Sequence, residues 1–160
     1  MKQALDDIAS KAMAHVNVGF LAGSTCGEHG EASAPEIAFY NEFGTTRRLI
    51  SPKSIAHESL HAIRTEHIPP RPFFRNMISK RSKRWGKLIA KLLKKYKFNY
   101  SQAMAAMGQV VSEELQQSIV NFSSPKNAPS TIARKGFDKP LVDSGNLMRA
   151  VNYEVIDGSA

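Results

Sequence analysis

One cysteine, Cys26, stands among 160 residues. That scarcity excludes an intramolecular disulfide framework and a paired-cysteine metal ribbon, both of which need thiols in sets. Cys26 lies in the glycine-rich stretch STCGEHG (24–30), which reads as a loop. A catalytic thiol needs a base and a lowered pKa, and its surroundings indicate neither, so it reads as an incidental thiol. Long apolar runs are missing too: no stretch approaches the ~18 residues of a membrane span. The opening MKQALDDIASKAM has no apolar h-region of the secretory kind, and the expectation is a soluble protein made in a cytoplasm.

The third absence is local. Between Arg71 and Lys97 there is no Asp or Glu, while eleven of the 22 basic residues lie there. The eleven basic residues elsewhere face 14 acidic ones, a net of −3, so one element carries the whole excess behind the overall +8. Apolar residues at 42% and a length of 160 suit one compact domain, read as 1–160. No internal repeat and no low-complexity segment interrupts it.

Periodicity supplies the elements. Residues 3–14 space Leu5, Ile8, Ala9 and Ala12 as a short helix does. HVNVGFLAG (15–23) alternates, placing Val16, Val18 and Phe20 on one face of a strand. PEIAFYNEFG (35–44) reads as a helix, with Pro35 in its first turn and Gly44 ending it in a left-handed conformation. Residues 45–68 read as an insertion or extended loop, with a His-rich run able to form a helix, followed by the extended IPPRP.

From Phe73 to Tyr96, Phe74, Met77, Ile78, Trp85, Leu88, Ile89, Leu92 and Tyr96 form one apolar stripe. A second helix spans about 100–120, with Asn99 and Gln102 spaced as a capping box and Ala103, Met107, Val110, Val111, Leu115 and Ile119 on its apolar face. Residues 123–140, with three prolines, read as a surface loop. Asp143 or Ser144 should cap a single turn through Leu147 and Met148, and AVNYEVI (150–156) alternates as a strand. The two clear strands, near opposite ends of the chain, should pair. The expected fold is α+β: a small antiparallel sheet with a long basic amphipathic helix and a second long helix packed on it.

His57-Glu58-Ser59-Leu60-His61 matches H-E-x-x-H, which on a helix places two imidazoles on one face for zinc with Glu58 as general base. His67 lies six residues beyond His61, where metzincin-type proteases carry a third ligand. Arg64, however, occupies the position of their turn glycine, and no substantial strand set precedes the motif to form a substrate cleft. The preferred reading is a polar connecting segment with histidines facing solvent: no catalytic residue, no metal and no cofactor. A zinc-dependent hydrolase using His57, Glu58 and His61 stays as the alternative.

The basic face of the long helix admits more than one partner. Arg75, Lys80, Lys83, Arg84, Lys87, Lys91, Lys94 and Lys95 are the candidate interaction surface, for phosphates or for an acidic partner. A membrane partner is disfavoured because the apolar stripe is needed for the core. No helix-turn-helix or zinc-finger pattern supports sequence-specific DNA binding, which leaves a non-specific nucleic-acid-binding protein as a further alternative.

Four ordered segments resemble the small neck and tail-completion proteins, minor tail components of long-tailed bacteriophages. They are VNVGFLAG (16–23), IAFYNEFGT (37–45), IPPRPFFRNMI (68–78) and APSTIARKGFDKPLVDSGNLMRAV (128–151). The second is similar to that group's A-x-x-N-E-F-G-T segment. The last is similar to its P-S-x-x-x-x-K-G-x-x-x-P-L-x-D-T-G-x-L run, with Ser144 in place of Thr. Asn41 and Glu42 are expected to form a buried polar bridge in preference to a subunit contact.

The resemblance implies a structural virion protein, not an enzyme, acting at the head–tail junction or in tail completion. It would assemble as a homo-oligomeric ring against head-closure or connector, tail-terminator or tail-tube proteins, with genomic DNA passing through the channel.

Overall fold

The computed structural model describes residues 14–25, 33–50 and 63–156. Residues 3–13 of the helix expected at 3–14, Cys26, and the H-E-x-x-H residues His57, Glu58 and His61 lie outside the described residues, and Ala14 is not helical. Chain order is β1 (His15–Phe20), α1 (Ala34–Phe43), β2 (Thr45–Ile50), β3 (Ile63–Ile68), α2 (Phe73–Lys95), α3 (Tyr100–Val120), α4 (Pro129–Lys135), α5 (Asn146–Arg149) and β4 (Val151–Ile156). The α+β architecture is the one the periodicity predicts, with the two long helices packed together.

The end strands pair. β1 and β4 run antiparallel, in register from His15 opposite Ile156 to Phe20 opposite Val151. Alternation gives this ribbon two faces. On the outer one, Asn17 donates to Glu154 at 3.0 Å. The inner one carries Val16, Val18, Phe20, Val151 and Tyr153, and the ribbon packs against α3.

α3 is the central element. Ala103, Met107, Val111, Leu115 and Ile119 are buried along it, and the ribbon packs on one side while α2 packs on another. Gly108 makes the close approach to the ribbon: a Cβ there would lie 2.5 Å from the Tyr153 ring and 2.8 Å from a Val16 methyl. Phe73 starts α2 inside this core, edge-on to Phe20 with centroids 6.2 Å apart. Its carbonyl accepts the Ser118 hydroxyl of α3 at 2.7 Å.

Local signals set the helix ends. Ser33 and Glu36 make a reciprocal capping box at α1, a pattern present in the sequence that apolar periodicity does not reveal. Asn99 caps α3 by accepting from the Gln102 amide at 3.0 Å, which is the Asn99 half of the expected box. Lys97 and Phe98 carry positive φ, 51° and 60°, and turn the chain between α2 and α3.

Four expectations need correction. The segment 45–68, read as an insertion or extended loop, contains a second two-stranded sheet, β2 and β3 pairing antiparallel with Thr45 opposite Ile68. The 123–140 segment is not loop throughout, since it contains α4, which Pro129 opens and Gly136 closes with φ 78°. Neither Asp143 nor Ser144 caps α5; the N-cap is Gly145 at φ 81°. Gly44 does end α1 with positive φ, but at φ 74° and ψ 168° it is outside the left-handed helical well. A Cβ at Gly44 would meet the Ile68 carbonyl oxygen at 2.7 Å and Pro70 N at 2.8 Å, so this turn is pressed against the lead-in to α2. No helix among the described residues is long and apolar enough to cross a membrane.

Candidate interaction surface

α2 owes its two-sidedness to its sequence period. Phe73 and Met77 are buried, and Phe74, Trp85, Leu88, Ile89 and Leu92 are partly buried against the core. Ile78 departs from the expected stripe by remaining 38% exposed. All eight candidate surface residues, Arg75, Lys80, Lys83, Arg84, Lys87, Lys91, Lys94 and Lys95, are exposed.

Two of the eight are also tied inward. Arg84 pairs with Glu114 of α3, whose other carboxylate oxygen accepts the Trp85 indole N–H at 2.9 Å. Arg75 pairs with Glu42 at 2.8 Å. The remaining six are lysines that repeat at three and four residues from Lys80 to Lys95. At 1.5 Å per residue they form a stripe roughly 22 Å long on the helix surface. Lys95 also lies over the Tyr96 ring, 5.4 Å from its centroid. Such a stripe of exposed like charge sets up a positive potential along the helix.

Glu42 is the structural centre of the NEFG segment. It is 5% exposed, and its carboxylate accepts from the backbone amides of Phe74 at 2.9 Å and Arg75 at 3.2 Å. Those are first-turn amides of α2, whose N-cap, Pro72, offers no side-chain acceptor. An anion there satisfies orphan donors and complements the helix dipole. Of the two residues expected to form a buried polar bridge, Glu42 is buried and bridged to α2, while Asn41 is half-buried.

Beside it runs a second polar chain that spacing did not disclose. Arg71 donates from its backbone to Asn41 O at 2.7 Å and from Nη1 to Asn41 Oδ1 at 3.2 Å. Its Nη2 donates to Asn127 Oδ1 at 3.2 Å, and the Asn127 backbone N–H donates to Asp138 Oδ1 at 3.2 Å. Residues 41–44, 71–75 and 127–138, far apart in sequence, are thereby joined at one junction. Burial holds the Arg71 guanidinium below its ordinary pKa, against the opposing pull of Asp138.

An open cleft of about 950 Å³ lies over this junction, with Asn41, Arg71, Asn127, Arg134 and Leu141 among its lining residues. His67 is on its rim in β3, its Nδ1 3.2 Å from the Thr46 hydroxyl. Among the described residues no three His, Cys, Asp or Glu side chains gather in a metal-binding arrangement.

The pairings missed at the sequence level had faint signals. Glu114 falls on the apolar face of α3 between Val111 and Leu115, where a carboxylate needs a partner. Arg71 is fixed between Pro70 and Pro72, which gives the side chain a defined origin but not its destination. Comparison of the chain with protein-family models, with curated proteins and with solved structures gave no match.

Proposed function

We propose that this chain is a structural component of a tailed-phage particle that acts by assembly at the head–tail junction or in tail completion, and not by catalysis. One observation carries the reading. Three of the four segments that resemble neck and tail-completion proteins place matched positions around the single junction and its cleft: Asn41 and Arg71, which are hydrogen-bonded, and Lys135, Leu141 and Asp143 from the last segment. Matched positions that are scattered in sequence but meet in space are what a shared scaffold requires, whereas chance matches would not need to meet. The roles at that junction are helix capping and turn-to-helix docking, which are scaffold tasks.

In this reading, identical subunits close into a ring through heterologous contacts. Its partners are head-closure or connector proteins on one side and tail-terminator or tail-tube proteins on the other. The exposed lysine stripe of α2 then faces either the DNA in the channel or an acidic neighbour. Both uses are electrostatic and both respond to charge reversal.

The test is the triple substitution Lys87→Glu, Lys91→Glu, Lys94→Glu. All three side chains are exposed, so the fold and its thermal transition should change little. Particle assembly or DNA retention should fail, with infectious titre reduced by at least about tenfold for a lost interaction of 1.4 kcal/mol or more. A normal yield of infectious particles from the triple variant would remove the stripe from the account. If the isolated chain shifts DNA in a salt-dependent way and is absent from assembling particles, the free nucleic-acid-binding reading takes its place.

A further inference from the structure

Two features of the exposed face of α2 narrow what it can meet. The first is which cations are left over. Both arginines of the candidate surface are held by carboxylates of the chain, Arg75 by Glu42 and Arg84 by Glu114. Among the described residues no carboxylate pairs with Lys80, Lys83, Lys87, Lys91, Lys94 or Lys95. At 3.6 residues per turn these six fall within roughly a third of the helix circumference. Bidentate recognition of a carboxylate is arginine chemistry, whereas lysine is a mobile point charge that suits a phosphate.

The second feature lies along the edge of this row. Ser79, Gly86 and Ala90 are exposed there, so no large side chain keeps a partner off the helix backbone. Glycine inside a helix is disfavoured against alanine. Nothing within the chain requires it at Gly86, where a Cβ would meet no atom within 4 Å. An outward use for it is the close approach of another backbone.

Protein partners fit this face poorly. The centre of a protein interface is built on aromatic and aliphatic anchors and is depleted in lysine. α2 turns its aromatics toward the core instead: Phe73 is buried, and Phe74, Trp85 and Tyr96 are half-buried. Ile78, its one exposed large apolar residue, belongs to the apolar stripe and not to the lysine row. Two copies meeting through this face would set six lysines against six. A single nucleic-acid strand gains little, since the row offers no exposed ring for base stacking. A duplex needs neither anchor nor ring. It carries one phosphate per ~1.7 Å of its axis, which supplies charge along the whole of the ~22 Å row.

We propose that this row binds duplex DNA through its backbone without reading sequence. Lys80, Lys83, Lys87, Lys91 and Lys94 meet phosphates, and the helix surface at Gly86 lies against the sugar–phosphate chain. This assignment rests on the electrostatic use of the stripe proposed above and narrows its two partners to one.

The test uses the full chain and fluorescein-labelled duplexes of two unrelated sequences, with a single strand of equal length and poly-glutamate as competitors. Anisotropy should report equal affinity for both duplexes. Log K should fall against log salt with a slope of about −4.5, the value for about five neutralised phosphates. Lys87→Gln combined with Lys91→Gln should bring that slope to about −2.7 with the melting temperature unchanged. Gly86→Leu should keep or raise the melting temperature, because leucine is the better helix former, and weaken duplex binding severalfold.

Tighter binding of poly-glutamate or of the single strand would overturn the proposal. So would a preference between the two duplexes, a slope no steeper than about −1, or unchanged binding by either folded variant. The assay reads the isolated chain and not a particle. The duplex assignment can therefore fail while the chain proves to be a particle component, and it can hold if the chain is absent from particles.

Discussion

Glu42→Ala should be the most damaging single change at the junction, lowering the free energy of unfolding by about 3 kcal/mol. The estimate counts two backbone amides of α2, at Phe74 and Arg75, that lose a charged acceptor in a buried position. Alanine leaves them without a substitute, because Pro72 at the N-cap has none to offer. The Arg75 side chain is a minor part of the loss. It is 57% exposed and returns to water when its partner is removed. Arg75→Ala should therefore cost well under about 1 kcal/mol, as exposed ion pairs do. Urea unfolding of the two variants checks the ranking. Equal losses would mean that the ion pair, and not the cap, is what Glu42 contributes.

A pair of glycine substitutions should move stability in opposite directions. Gly86 and Gly108 both sit inside long helices, where alanine is intrinsically better by about 1 kcal/mol. At Gly86 a Cβ meets nothing within 4 Å, so Gly86→Ala should deliver most of that gain. At Gly108 the Cβ would be driven into Tyr153 and Val16, at 2.5 and 2.8 Å, and α3 would have to move off the β1–β4 ribbon. Overpacking of this kind costs about 1–3 kcal/mol or more, so Gly108→Ala should be net destabilising by roughly 2 kcal/mol. Thermal unfolding followed by circular dichroism gives both values. A Gly108→Ala variant as stable as Gly86→Ala would show that α3 does not rest on the ribbon at this point.

The long helices and the end strands were legible because their apolar periods are strong and their partners are the core itself. Val16, Val18 and Phe20 alternate, and the stripe from Phe74 to Leu92 repeats at three and four, so each element announces its buried face. The hairpin of β2 and β3 was not legible. TTRRLI and IRTEHI are mostly polar, and their pairing rests on backbone hydrogen bonds that leave no apolar alternation in the sequence. α4 is hidden by its own boundary signals: Pro129 and Gly136 are residue types that loops share, although proline opening and glycine closing a helix is an ordinary arrangement.

The junction was half legible for a different reason. Asn41 and Glu42 stood out as polar residues beside aromatic ones, which suggested a buried bridge. What they bridge to lies about thirty residues on, at Arg71 to Arg75, and no local pattern encodes a contact at that separation. Asn127 and Asp138 were invisible, because a polar segment gives no sign of which of its residues is buried. The basic face of α2 was legible, apart from the exposure of Ile78 and the pairing of Arg75 and Arg84, since the absence of acidic residues from 71–97 is a property of the sequence alone.

The proposed scaffold role and the lysine stripe together predict that a phage particle cannot be joined without this chain. Electron microscopy of lysates from phage in which this reading frame is interrupted tests that claim most directly. The account predicts heads and tails that form but fail to join or to retain DNA, restored when the intact chain is supplied. Joined, DNA-filled and infectious particles in its absence would contradict it.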